Sequence, residues 1–339
     1  MRVARTMGWL AGAAGAVALA RVRRHRVAGK AVLVSGGSRG LGLCIARELA
    51  RRGARLAIAA RDVRELEAAR VELAALGAEV VPIACDVASE EDAARMVREA
   101  EARLGRVDAL VNVAGIIQVA PAEGLRLQDY RDAVGVNFWG TVHATLAALP
   151  AMRARGDGAV LNVTSIGGAV AVPHLLPYTA GKFAQVGFSE GIAAEAAKDG
   201  VRVTTVVPGL MRTGSFLRAL FKGRREAEVG WFAVASSLPL LTVGAGRAAR
   251  RMVDALERGE RYVVVGWPAR ALRLLHALLP GATIRAMALA NRLLPSQGGV
   301  SADEPAREGH AHRPRVARSF LTALGDAAAA RNRERPREA

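Results

Sequence analysis

A doubly wound α/β fold, one parallel sheet covered by helices on both faces, is the architecture the sequence predicts. Three observations carry it. Short β-branched or apolar runs recur between Lys30 and Gly266, amphipathic stretches at helical spacing separate them, and the first run passes directly into a glycine cluster that opens a helix. Runs that are apolar throughout, rather than alternating, belong to strands buried on both faces, the condition of a parallel sheet between two helical layers. The expected class is therefore a single Rossmann-type sheet, with an N-terminal apolar segment and a C-terminal helical extension outside it.

In order, the predicted strands are AVLVS at 31–35, RLAIAA at 55–60, EVVPIA at 79–84, VDALVN at 107–112, AVLNVT at 159–164, VRVTTVV at 201–207 and YVVVG at 262–266. The helical stretches LGLCIARELARRG and EEDAARMVREAEARLG each close on a glycine, which suits a helix C-terminus. Ser89, with Asp92 three residues on, gives the second a capping-box-like start. There is no repeat beyond the alternation itself and no linker to a second domain. The chain divides into an N-terminal apolar and basic segment (1–29), the α/β domain (30–266), an amphipathic helical extension (267–295) and a mobile tail (296–339).

Just over half of the 339 residues, 51%, are apolar, ample for a sizeable core. The formal charge of +17 speaks to partners rather than fold. Arginines are spread through most predicted helices and both ends, and aromatic residues are only 4%, so no aromatic-studded basic platform exists and no nucleic-acid partner is expected. Cys44 and Cys85 stand alone in apolar surroundings, which predicts two buried, reduced thiols and neither a disulfide nor a metal site. His143 and His174 have no metal-ligand spacing and are assigned no chemistry.

The ends of the chain point to a membrane surface as one partner. Met7 to Ala20 is uncharged, with Arg2 and Arg5 before it and Arg21, Arg23, Arg24 and Arg26 after it. It is shorter than the roughly twenty residues a span requires, and its heavier positive flank would hold the following domain in the cytoplasm. An uncleaved anchor or surface helix and a plain disordered or packed extension both fit it. From Trp267, WPARALRLLHALL and GATIRAMALANRLL read as two short helices about Pro280-Gly281, with Arg270, Arg273 and His276 on one face and Leu272, Leu275 and Leu279 on another. Such a pair serves a substrate lid, a subunit interface or membrane docking. The expected location is cytoplasmic, with the apolar ends able to place it on the cytoplasmic face of a membrane.

The glycine cluster is Ser35-Gly36-Gly37-Ser38-Arg39-Gly40-Leu41-Gly42. Glycines at 36, 40 and 42 permit a tight turn, close backbone approach to a pyrophosphate and close helix-on-strand packing, while the helix N-terminus supplies amide donors. Gly36, Ser38, Arg39, Gly40, Leu41 and Gly42 are thus the expected cofactor loop. This spacing resembles the short-chain dehydrogenase/reductase family, with Ser35 where that family usually has Thr; the resemblance runs from about Lys30 to Gly266. It implies that Asp86-Val87 meets the adenine and that Asn112-Val113-Ala114-Gly115 matches the family's Asn-Asn-Ala-Gly element, so that Asn112, Ala114 and Gly115 line the cofactor. It further implies that Pro208, Gly209 and Thr213 meet the nicotinamide end.

The second strand ends Ala60-Arg61-Asp62, and an arginine there favours a 2′-phosphate over a ribose hydroxyl. With Arg39 in the loop, two guanidinium groups can converge on that phosphate, so NADP(H) is preferred over NAD(H). The alternative leaves Arg61 in solvent and gives the ribose to Asp62.

Tyr178 and Lys182 stand four residues apart, on one face of a helix, where a cation favours the ionised phenol. The resemblance implies that Ser165 hydrogen-bonds the substrate oxygen, that Asn137 holds a water in the proton path, and that Lys182 also holds the nicotinamide ribose. The implied reaction is hydride transfer between NADP(H) and a carbonyl or alcohol carbon, with Tyr178 as general acid or base. After Thr213, Phe216, Leu217, Leu220, Phe221, Trp231 and Phe232 make an apolar pocket for a bulky hydrophobic substrate, or else pack against the next subunit or the C-terminal helices. The resemblance also implies a homo-oligomer, dimer or tetramer. A scaffold without turnover would have no use for Asn137, Ser165, Tyr178 and Lys182 together.

Overall fold

The structure, a computed structural model, describes residues 26–296, 298, 299 and 301–336. The apolar stretch 7–20 lies outside the described residues. Seven strands form one sheet: β1 (Ala31–Ser35), β2 (Arg55–Ala60), β3 (Val80–Ala84), β4 (Ala109–Asn112), β5 (Gly158–Val163), β6 (Val201–Pro208) and β7 (Tyr262–Val265). Their order is β3-β2-β1-β4-β5-β6-β7, and every pairing is parallel. The order reverses between β1 and β4, which opens a crevice at the carboxyl ends of those strands, where a doubly wound sheet binds its ligand.

Alternating side chains on each strand build two cores. Val32, Val34, Leu56, Ile58, Val111 and Leu161 face one way, onto α1 (Gly40–Arg51), α2 (Val63–Ala74) and α8 (Ala245–Arg258). Leu33, Ala57, Ile83, Leu110, Val160 and Val203 face the other, onto α3 (Glu90–Leu104), α5 (Gly140–Arg155) and α6 (Leu176–Glu195). This is why the predicted strands lack a period of two: both faces are covered. The helix starts follow their caps. Ser89 accepts from the Asp92 amide at 3.2 Å to begin α3, and Asp62 accepts from the Glu65 amide at 3.0 Å to begin α2.

Between α4 (Leu127–Val134) and α5 the chain makes a π-helical turn, Gly135–Trp139. Beyond α6, the segment after Thr213 carries α7 (Arg225–Ala235). Past β7, α9 (Trp267–Leu278) and α10 (Pro280–Asn291) form a hairpin that projects from the domain, tied across its tip by His276 Nδ1 and Thr283 Oγ1 at 2.6 Å. No helix among the described residues is long and apolar enough to cross a membrane.

The remainder of the chain corrects an expectation. Residues 301–336, expected to be mobile, pack as a strap across the domain through short 3-10 turns, a strand pairing of Arg307–Glu308 with Leu220–Phe221, and a final helix α11 (Ala323–Arg331). The strap has no apolar period because its buried face is built from Ala317, Ala328, Ala329 and Gly325, and its polar groups are held by ion pairs such as Arg313 to Asp326 at 2.8 Å. Alanine and glycine give little hydrophobic contrast to read.

Candidate active site

The helix α6 sets its first two turns against the end of β5. Ser165 lies just past β5, and its Oγ accepts from the Gly167 amide at 3.0 Å. A methyl on Gly167 would sit 3.3 Å from Tyr178 Cε1 and 3.5 Å from Ser165 Oγ, so the phenol and the hydroxyl share one small space. One turn on, Lys182 Nζ lies over the Tyr178 ring, 5.7 Å from its centroid. From the other side the π-helical turn brings Asn137, whose Nδ2 donates to Ile116 O at 3.0 Å. A methyl on Gly115 would stand 2.7 Å from Asn137 Oδ1 and 3.7 Å from Lys182 Nζ. The structure therefore gathers Asn137, Ser165, Tyr178 and Lys182 into one cluster. Asn137 Oδ1 is buried and accepts no hydrogen bond among the described residues.

Burial governs the titration of this cluster. It pushes the Tyr178 phenol above the ordinary tyrosine value, and the hydrogen bond with Ser165 only partly opposes it. It also pushes the Lys182 ammonium down to about 7. Lys182, together with the positive nicotinamide of the oxidised cofactor, was expected to favour the ionised phenol; burial alone acts the other way and holds the phenol above its ordinary value.

Lys182 Nζ donates to Gln185 Oε1 at 2.8 Å and to Val163 O at 3.3 Å, and Gln185 Nε2 donates to Thr141 Oγ1 at 2.7 Å. Gln185 and Thr141 were not anticipated. A polar residue three positions after Lys182 on the same helix was the available signal, but it reads equally as a surface residue. Asn112 is placed inside the sheet, where Nδ2 donates to Asn162 Oδ1 at 2.9 Å and to Thr145 Oγ1 at 3.0 Å. These bonds tie the ends of β4 and β5 to α5.

The glycine loop follows β1. Gly36 has φ +79°, a conformation that suits glycine, and a methyl there would come within 2.7 Å of the Ala114 backbone. A methyl on Gly42 would collide with the carbonyl oxygen of Gly36, which explains the close passage of α1 beneath the loop. Ser38 Oγ donates to Glu65 Oε2 at 3.4 Å, and Leu41 lies in the first turn of α1, after Gly40. Asp86 Oδ1 accepts from the Ala88 amide at 3.1 Å, beside buried Val87. Pro208 ends β6, the Gly209 amide donates to Val265 O at 2.9 Å, and Thr213 Oγ1 accepts from Ser215 N at 3.1 Å.

Arg39 and Arg61 are placed differently. Arg39 pairs with Glu65 at 3.3 Å and with Glu334 of the strap at 2.6 Å. Arg61 is exposed at the end of β2 and forms no ion pair among the described residues. Asp62 is committed to the start of α2, and that backbone hydrogen bond holds its carboxyl below the usual value. The predicted apolar pocket is partly a packed cluster: Phe216, Leu217, Phe221 and Phe232 are buried against Ala317 and Ala329 of the strap, with Tyr178 and Trp231 at its edge. Trp231 also lines a cavity of about 900 Å³ with Val234, Leu238, Leu241, Pro314 and Val316. Cys44 and Cys85 are buried free thiols, pushed by burial to about 11 and about 12.

The backbone amides at the start of α1, the glycine turn and a buried acceptor beside Lys182 fit a nicotinamide dinucleotide along the strand ends. Comparison with known proteins agrees. Residues 30–220 match the family described as short chain dehydrogenase. The chain is 35% identical over 247 residues to an 11-beta-hydroxysteroid dehydrogenase A of Sesamum indicum, covering 70% of this chain and 68% of that one. It is 39% identical over 184 residues to a 3-oxoacyl-[acyl-carrier-protein] reductase of Bos taurus, covering 54% of this chain and 76% of that one. A solved short-chain dehydrogenase from Streptomyces avermitilis superposes with a TM-score of 0.66 at 30% identity, over 78% of this chain and 99% of that one. The protein belongs to the short-chain dehydrogenase/reductase family, oxidoreductases that act on hydroxyl and carbonyl groups with a nicotinamide dinucleotide.

Proposed function

We propose that the protein interconverts a bulky hydrophobic ketone and its alcohol with NADP(H), Tyr178 being the general acid and base. The observation that supports this most directly is the shared space of the Tyr178 ring and Ser165 Oγ with Lys182 Nζ over that ring. The dinucleotide, when bound, supplies or accepts the hydride. Ser165 Oγ hydrogen-bonds the substrate oxygen and Tyr178 Oη gives it a proton in reduction. The raised phenol value suits this direction, since the acid is protonated at neutral pH. Lys182 holds the nicotinamide ribose, and Asn137 Oδ1, an acceptor without a partner among the described residues, sits where a proton path would continue.

NADP(H) over NAD(H) is supported by Arg39 at the head of α1 and exposed Arg61, and by the commitment of Asp62 to its cap. The bulky substrate is supported by the apolar cluster after Thr213, against which Tyr178, Ile117, Val172 and Trp231 are only partly buried; the 900 Å³ cavity is lined by none of the four catalytic candidates. Two associations complete the reading. Exposed Trp139, Leu146 and Phe183 on the α5–α6 side support a homo-oligomer. The α9–α10 hairpin supports docking on an anionic membrane surface: Leu274, Leu278, Ile284, Leu289 and Leu293 are exposed on it, arginines 270, 273, 285 and 292 lie among them, and no acidic residue occurs from 261 to 302.

The test is titration with NADPH and NADH, followed by cofactor fluorescence, on the wild type, Arg39→Ala and Arg61→Asp, then NADPH consumption by the wild type and Tyr178→Phe. We expect NADPH to bind about 10- to 100-fold more tightly, as charge-assisted bonds of this kind allow, and the arginine variants to lose that preference. Tyr178→Phe is expected to retain binding and lose about 10²- to 10⁴-fold in turnover. Equal affinity for NADH overturns the cofactor assignment, and fast turnover of small polar ketones with none of polycyclic or long-chain ones overturns the substrate class.

A further inference from the structure

The strap does more than cover the domain. Asn332 O accepts from the Gly40 amide at 2.8 Å, so the first backbone donor of α1 is already engaged. The same residue reaches across the crevice, its Nδ2 donating to Thr213 O at 3.0 Å. Ala329 lies so close to Gly214 that a methyl there would overlap it, and Glu334 stands where a methyl on Gly40 would point. Glu334, only 3% exposed, gives its carboxylate to Arg39 at 2.6 Å. Two further clamps hold this stretch: Arg47 Nη2 donates to Arg331 O at 2.7 Å, and Arg333 pairs with Glu72 at 2.7 Å.

Each of these groups is one that a dinucleotide needs. The Gly40 amide at the head of a helix is a phosphate donor, Thr213 is the residue expected at the nicotinamide end, and Arg39 is the cation expected next to the 2′-phosphate position. A carbonyl oxygen and a carboxylate of the chain's own end now satisfy that helix head and that arginine. We propose that the C-terminal strap is a built-in competitor of the cofactor: Asn332 and Glu334 stand in for its pyrophosphate and 2′-phosphate, and the stretch from Ala329 to Glu334 must leave the groove before NADP(H) binds. This regulation rests on the dinucleotide reading of the site.

The arrangement is suited to release. Burial pushes the Glu334 carboxyl above the ordinary value although Arg39 opposes it, so this anion is held at a cost that a solvated phosphate exchange can relieve. A ligand that binds only the open form has its apparent affinity reduced by the open fraction, and variants that weaken the closed form recover that loss.

The experiment is hydrogen exchange followed by mass spectrometry on the full chain with and without NADPH, together with NADPH and NADH affinities of the wild type, Glu334→Gln and Asn332→Ala. Exchange reads the strap directly and needs neither turnover nor a variant. We expect NADPH to raise amide exchange in 328–336 while lowering it in 36–42, and the variants to bind NADPH on the order of tenfold more tightly. If NADPH binds and exchange in 328–336 falls or stays unchanged, with wild-type and variant affinities equal, the strap is a fixed wall and the proposal is overturned while the cofactor reading stands. If neither the wild type nor the variants bind either dinucleotide, both fall.

Discussion

Lys182 shows how much one buried side chain decides. It is 4% exposed, its nearest partners are neutral, and burial brings its ammonium to about 7. A base whose folded value lies below its unfolded value penalises the folded state while both states are protonated, and the penalty is relieved as pH rises from about 7 towards the ordinary lysine range. Lys182→Met should therefore be more stable than the wild type at pH 7, with the difference shrinking towards pH 10. Denaturant melts of both proteins across that window check it; a constant difference would mean that Lys182 is charged and paired in the fold. The two thiols, raised by burial to about 11 and about 12, lose their protons within the window only in the unfolded chain, equally in both proteins, and cancel in the comparison. Tyr178 and Lys182 were legible in the sequence because a spacing of four on a helix is a geometric statement. Gln185 and Thr141, which hold Lys182, were not, since nothing in a lone glutamine or threonine says that it is buried. Asn112 was read from its motif as a cofactor contact; that its side-chain nitrogen also bonds Asn162 and Thr145 could be seen only with the neighbouring strand and helix in place.

Among the elements, the sheet was legible nearly to the residue because full burial on both faces leaves uninterrupted apolar runs. The π-helical turn at Gly135–Trp139 was not, since one extra residue per turn leaves no compositional mark, yet it is what aims Asn137 at Ile116. The segment after Thr213 was half legible: its large apolar residues were evident, but whether they enclose a ligand or one another depends on a strap nearly a hundred residues further on. The α9–α10 hairpin is the reverse case, recognisable as amphipathic and left bare by the fold, with Leu278 69% and Leu293 88% exposed. A triple change of Leu274, Leu278 and Leu289 to Ser should abolish co-sedimentation with vesicles containing phosphatidylglycerol and leave the melting temperature nearly unchanged, because exposed positions contribute little to stability. A wild type that stays in the supernatant with such vesicles at low salt would remove the membrane docking proposal.

At the scale of the whole molecule, the last 36 described positions and the nucleotide crevice are one structure. The strap closes the apolar cluster around Phe216, walls the cavity behind Trp231 through Pro314 and Val316, and ends in the crevice with Glu334 on Arg39. A ligand ordinarily shields a protein from proteases by favouring its closed form. Here the order is inverted at one end of the chain. The backbone around Arg331 and Arg333 is held while the crevice is filled by the chain itself, through Arg47 on Arg331 O, Gly40 on Asn332 O and Glu72 on Arg333, and NADPH should hasten tryptic cleavage after Arg331 and Arg333 while slowing it within 30–266, as a digestion time course read by intact mass would show. In a cell, that would make the loaded enzyme, rather than the empty one, the form whose C-terminus is open to degradation, so that its lifetime would be set in part by the supply of reduced cofactor.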